Sequence, residues 1–300
     1  MGNLPKNFIF LLLGCLLLGA PGVANGQSFD WWNTRHNWDG FTHWHKYIRL
    51  SPAFMGPNAL PVPRSEQGIL PEVAQLETNL VAHVAKGDQT QNMEMALYLP
   101  LFSPRVGLEL YWVPAEYYQT DTLVRDLRRA RGISGKGWAT GDLYIGTHIQ
   151  LIRNHPRLPD ATLSIHLKTA SGSKLSDARY TDTPGYYFNL AFGKTRDTPN
   201  DYLRFFANAG LYVWQTFGDR HYQNDAFLYG LGLEYGRASW KVSSSLSGYH
   251  GYIGDGDQPL VVRLKGSTRR QKRLDYTCGW QLGLRDIPYA SWRLGAVWKL

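Results

Sequence analysis

Cysteine is almost missing. The two in 300 residues are Cys15 and Cys278, and Cys15 falls in a leader-like stretch, so a mature chain would keep one thiol and no internal disulfide. An exported protein without that staple has to be held by its core or by a barrel. Charge is also scarce, at 19% of residues against roughly 25% in a soluble domain. Long apolar runs are missing too: beyond Leu18 no window approaches the roughly 20 residues of a membrane helix, and the mean hydropathy is -0.34. A helical membrane bundle is thereby excluded. What is present is aromatic side chains, 14% of the chain, and 31 glycines. Many aromatics and few charges exclude a disordered chain. The profile fits a closed antiparallel transmembrane β-barrel, whose strands show only every second residue to lipid and which is the other backbone solution in a membrane.

Met1 to Lys6 carries one lysine, Phe8 to Leu18 is apolar apart from Gly14 and Cys15, and small residues follow. That order is the signature of a secretory signal peptide. Ala24-Asn25-Gly26 places cleavage before Gln27, giving a leader over residues 1–26. Residues 27–74 differ from the remainder: Trp31, Trp32, Trp38 and Trp44 crowd the start, and Pro57, Pro61 and Pro63 follow. Three prolines in seven residues exclude a regular helix or a central strand there. This region is read as an extended Trp/Pro-rich segment, periplasmic or plugging the lumen, with the barrel over residues 75–300.

From Gln75 onward a period of two dominates. Met93, Met95, Leu97 and Leu99 alternate with Glu94, Ala96 and Tyr98, and Leu203, Phe205, Ala207, Ala209 and Leu211 oppose Arg204, Phe206, Asn208 and Gly210. Such alternation over consecutive segments is strand, and about twelve segments show it. An even count returns both ends of a single-chain barrel to the same side. Connections near residues 118–137, 172–184, 217–225 and 253–259 are long and the intervening ones short, the expected order for outward loops and inward turns. Two connections depart from it: 267–273 is long for an inward turn and 286–288 short for an outward loop. A soluble β-sandwich also alternates, but its strands run about 5 to 6 residues, whereas these are closer to the 9 to 11 that cross a bilayer. Trp112, Trp138, Tyr186, Trp240, Trp292 and Trp298 suit interfacial girdles.

The stretches Gly141-Asp142-Leu143-Tyr144-Ile145-Gly146, Leu167-Lys168-Thr169-Ala170-Ser171-Gly172 and Asp182-Thr183-Pro184-Gly185 resemble the outer-membrane family linked to meta-pathway phenol degradation. The resemblance covers residues 141–195 and implies a barrel channel for small, often aromatic molecules. The Gln27 start and the segment 31–63 are also similar to uncharacterised outer-membrane proteins of Bacteroidetes. Neither resemblance implies catalytic residues.

The lumen is expected to be lined by Glu94, Glu109, Asp142, His148, His166, Lys168, Arg204, Glu234, Lys241, Arg263, Lys265 and Arg293. Glu77, Lys299 and Arg285 extend the set. Acid concentrates on the early strands and base on the late ones. Two outcomes are open: the charges pair across a packed polar core, or they set a transverse field that favours anions. In the second case, neutralising Arg204 and Arg263 together shifts selectivity toward cations. His36, His43 and His45 with Asp39 are the residues nearest to a metal set, but no recognised ligand spacing is present, so no metal and no cofactor is expected. Ser134 misses the nucleophile-elbow spacing. Ser164, His148 and His166 face one side of adjacent strands without forming a recognisable triad, and no catalytic residue is assigned.

The net charge of +8 is not read as a nucleic-acid footprint. Arg125, Arg128, Arg129, Arg131 and Lys136 on an outer loop account for much of it and would meet anionic lipopolysaccharide, while Arg269, Arg270, Lys272 and Arg273 make a solvated turn. The expected partners are outer-membrane lipids, lipopolysaccharide, a small solute and the barrel-assembly machinery. The function expected from all this is an outer-membrane channel or transporter for small, anionic or aromatic solutes in a Gram-negative bacterium. The alternatives are a non-conducting surface or assembly protein anchored by its barrel and, third, a lipid-modifying enzyme.

Overall fold

The structure is a computed structural model, and it describes residues 28–269 and 273–300. The leader over 1–26 and two members of the basic turn, Arg270 and Lys272, lie outside the described residues. Among the described residues thirteen strands follow one another: β1 Gln75–Ala85, β2 Asp88–Leu101, β3 Ser103–Thr120, β4 Lys136–Ala139, β5 Tyr144–Ile152, β6 Asp160–Lys168 and β7 Gly185–Asp197, then β8 Asp201–Gln215, β9 Gln223–Arg237, β10 Trp240–Gly251, β11 Leu260–Thr268, β12 Leu274–Arg285 and β13 Ala290–Lys299. Neighbours in sequence pair antiparallel except β4 and β5, which both pair with β3, and β1 pairs with β13 from Gln75↔Lys299 to Val84↔Ala290, which closes the sheet.

The barrel has twelve staves, because β4 and β5 share one. β4 pairs with the end of β3 through Glu116↔Ala139, and β5 pairs lower down through Tyr111↔Tyr144. The interruption at 140–143 lets Asp142 turn inward. Both barrel termini lie at one mouth, where the connections are mostly short, such as residues 198–200 and 238–239, with 153–159 the exception at seven residues. The other mouth carries 121–135, 169–184, 216–222 and 252–259.

Alternation decides what faces where. Outward are Leu80, Phe188, Phe205, Leu231, Leu264 and Leu294, all more than a third exposed, a surface of hydrocarbon with no protein partner. Inward are Asn79, Asn92, Thr162, Asn189, Asn208, Ser247 and Thr277, all buried. Trp138, Tyr186 and Trp292 sit near the long-loop ends of their strands and Trp240 and Trp298 near the short-turn ends; Trp112, opposite Met95, lies in mid-strand instead of at a girdle.

The N-terminal segment starts over the long-loop mouth. Helix α1 (Asp30–Arg35) packs there, with the Trp32 indole donating to Arg129 O at 3.0 Å. Lys46 pairs with Asp219 and Arg49 with Asp255. The chain then descends through the lumen. Gly56 N donates to Ala178 O at 2.8 Å, Asn58 to Glu116 at 2.8 Å, and Leu60 O accepts from Tyr249 at 2.8 Å. Lower still, Gln150 donates to Gly68 O at 2.8 Å, Arg153 pairs with Glu72 at 2.6 Å, and Ala74 O accepts from Leu300 N at 2.9 Å. Pro57, Pro61 and Pro63 keep this stretch extended and without strand pairing, so its carbonyls are free for side chains of the wall. At Gly68, with φ +75°, a Cβ would stand 2.7 Å from Gly193 N and 2.8 Å from Asp160 O. Only glycine permits so close an approach of plug and wall backbones.

Candidate functional site

The lumen is partly filled by residues 55–72, and beside that plug lies a cavity of about 840 Å³. It reaches from Ala238, Thr268 and Arg269 at the short-turn mouth to Asn58, His83 and Ile287 beneath the long loops. Among the described residues, seven Lys and Arg side chains and six carboxylates line it. Most of these charges are paired. Arg293 makes two bonds of 2.9 Å to Glu94, Lys265 meets Glu77 at 3.1 Å, Lys241 meets Glu234 at 3.1 Å, and Lys299 meets Asp275 at 2.8 Å. Arg64 of the plug bridges Glu77 and Glu94 at 3.4 and 3.2 Å. Acid and base therefore lie face to face at short range, which weakens a field across the whole lumen.

Arg263 departs from that balance. Its guanidinium reaches the plug carbonyls of Val62 and Pro63 at 2.6 and 2.9 Å, with Gln281 and Ser247 as further partners, and among the described residues it has no carboxylate partner. Tyr111, Tyr144, Tyr187 and Phe206 add aromatic surface to the cavity.

Nine of the twelve residues singled out in the sequence line this cavity: Glu94, Glu109, His148, His166, Glu234, Lys241, Arg263, Lys265 and Arg293. The other three lie apart from it. Asp142 and Lys168 form a buried pair at 2.7 Å, with Lys168 also donating to Thr181 Oγ1 and Thr183 O at 2.7 Å, so they fasten the 169–184 loop across the long-loop mouth. Arg204 pairs with Asp160 at 2.9 Å and donates to Gln67 O, gripping the foot of the plug. Arg285 is exposed at the loop end beside Gln258 and Asp286. Arg204 and Arg263 thus both hold plug carbonyls.

Beneath the long loops lies a buried ionic network with no counterpart in the sequence reading. Arg179 donates to Asp88 and Glu116 at 2.8 Å each and to Thr90 at 2.7 Å. Arg128 reaches Asp88 at 2.6 Å and Tyr289 at 2.7 Å, and Tyr289 in turn donates to Asp88 at 2.7 Å. Arg128 is thus unavailable to lipopolysaccharide, and Arg131 lies 3.8 Å from the centre of the Phe29 ring, with Trp32 and Trp44 also against it. Part of the basic loop thus seats the N-terminal segment, while Arg129 and Lys136 stay exposed.

The three N-terminal histidines do not converge. The His43 and His45 rings meet edge to face at 4.3 Å, where burial and the neighbouring His43 hold the His45 imidazole below its ordinary pKa. His36 packs on Trp32 instead, and the Asp39 carboxylate is engaged by Phe41 N, Thr42 N and the Thr42 hydroxyl. Ser164, His148 and His166 do come together, with Glu66 of the plug between them. The Ser164 hydroxyl donates to Glu66 at 2.5 Å, so its proton faces a carboxylate and not an imidazole base, which is not a nucleophile-activating arrangement.

No family model and no curated protein matches the sequence. Among solved structures, an outer-membrane channel from Pseudomonas putida F1 is similar at 12% identity, covering 80% of this chain and 100% of that one with a TM-score of 0.58. That likeness shows the fold, a closed barrel of the outer-membrane kind. The β domain of the Bordetella autotransporter Brka matches at 15% identity over 76% of this chain and 99% of that chain, TM-score 0.47. The KdgM porin matches at 10% over 75% and 99%, TM-score 0.44.

Proposed function

We propose that the protein is an outer-membrane channel for small solutes, with a preference for organic anions including aromatic ones, and that its own N-terminal segment is the gate. The observation that carries this reading is the 840 Å³ cavity running beside the plug. A barrel that served only as an anchor would have no use for a polar, charged space of that size along its axis. The Arg263 guanidinium, without a carboxylate partner among the described residues, and the tyrosine and phenylalanine faces suit a small aromatic carboxylate or a comparable anion.

Purified protein in planar bilayers tests it. The full chain should pass small currents with reversal potentials displaced toward anions in a salt gradient. Changing both Lys241→Gln and Lys265→Gln, half-exposed side chains whose loss leaves Glu234 and Glu77 less neutralised, should move those potentials toward cations. A second reading, a sealed barrel anchoring its loops, is favoured by the ionic network and the α1 cap over the long-loop mouth. Folded, inserted protein that passes no current even after the plug is loosened would establish that reading in place of the channel.

A further inference from the structure

Glu66 of the plug stands between two wall histidines. Its Oε1 lies 3.7 Å from His166 Nε2 and 3.9 Å from His148 Nδ1, and the ligand atoms of the three residues all fall within 4.8 Å of one another. Tetrahedral coordination with bonds of about 2.1 Å sets its donors about 3.4 Å apart, so contraction by a few tenths of an ångström at the two measured edges would bring them to bonding distance. Both histidines are more than nine-tenths buried. His166 Nε2, aimed at Glu66, has no hydrogen-bond partner, an expensive condition for a buried polar atom unless something else binds it.

We propose that Glu66, His148 and His166 bind a transition-metal dication of the Zn²⁺ class and that the ion ties the plug to β5 and β6. Two imidazoles and a carboxylate are the donor set such ions take, with remaining positions open to water from the cavity. The surroundings resemble an outer shell. Glu109 Oε2 stands 3.2 Å from His148 Nε2, so a proton on that nitrogen leaves the Nδ1 lone pair toward Glu66. Ser164 orients the Glu66 carboxylate, and the Tyr187 ring stacks on His166 at 4.3 Å. At Gly146 a Cβ would come within 2.5 Å of the His166 ring, so glycine there makes the imidazole's position accessible.

The test is titration of the full chain in detergent micelles, freed of metal by a chelator, with Zn²⁺ followed by calorimetry and Co²⁺ by visible absorption. One ion per chain is expected, with a Co²⁺ spectrum of nitrogen and oxygen ligation. Glu66→Gln and His166→Gln should each weaken binding beyond the roughly 10- to 100-fold that losing an outer-shell partner costs, and Glu109→Gln should fall within that range. Changing both His43→Gln and His45→Gln should leave it unaltered. Because Glu66 lies in the plug and not in a strand of the wall, Glu66→Gln keeps the test decisive if a strand variant misfolds, with heat-dependent gel mobility reporting the folded barrel. Absence of stoichiometric binding by the unaltered chain, or binding by the Glu66 and His166 variants equal to it, overturns the site. Neither result depends on whether the barrel conducts.

Discussion

Arg179 sits in an outer loop yet is fully buried, and each of its donors finds a different partner: Asp88, Thr90 and Glu116. Three partners in a fixed fork suit a guanidinium and no other side chain. Arg179→Ala should leave the Asp88 and Glu116 carboxylates without that partner, at a cost of about 3–5 kcal/mol, and Arg179→Lys should recover only part of it. Urea unfolding of the refolded protein in micelles measures both. The sequence could not reveal this network, because its members are scattered over β2, β3, two loops and residue 289, and a buried arginine in a loop looks like a solvated one. The inward-facing Glu94, His148, His166 and Arg293 were legible, since the period of two fixes a face wherever the flanking residues are apolar. Glu66, in an aperiodic proline-rich stretch, gave no such signal.

At the scale of elements, the plug is held by side chains of the wall acting on its backbone: Arg263 on Val62 and Pro63, Arg204 on Gln67, Gln150 on Gly68. A segment without ladder hydrogen bonds has few cooperative neighbours, and a few grips decide whether it stays. Changing both Arg204→Gln and Arg263→Gln should therefore enlarge single-channel conductance severalfold and open residues 55–72 to protease from the short-turn mouth. Unchanged conductance together with unchanged cleavage would mean that these arginines do not retain the plug. Prolines at 57, 61 and 63 announced an extended segment, but not its course from the long-loop mouth to the foot of β1, because that course is written in contacts between residues as far apart as Leu60 and Tyr249. The strands were legible nearly to their ends. Residues 140–143 interrupt one of them, where Asp142 turns to Lys168, a bond that local alternation does not encode.

The whole molecule is organised by two solvents, lipid outside and a wet, charged interior within. Leu80 and Leu294 are directly paired across the β1–β13 seam and are 69% and 68% exposed, near the middle of both strands. In a soluble sandwich, a charge at so exposed a position would be nearly neutral. In a bilayer the same site lies near the midplane, where arginine costs roughly 2–4 kcal/mol. Leu294→Arg should thus lower the stability of the barrel in lipid vesicles by about that amount, read from reversible urea unfolding, while Lys299→Arg at the strand end should shift it little. The seam sharpens the comparison, because β13 is the stave that closes the sheet: a penalty there acts on closure itself, and the loss should appear as a lower midpoint of one cooperative transition. A Leu294→Arg protein as stable as the parent in vesicles would remove the hydrocarbon surface on which both the membrane address and the channel depend.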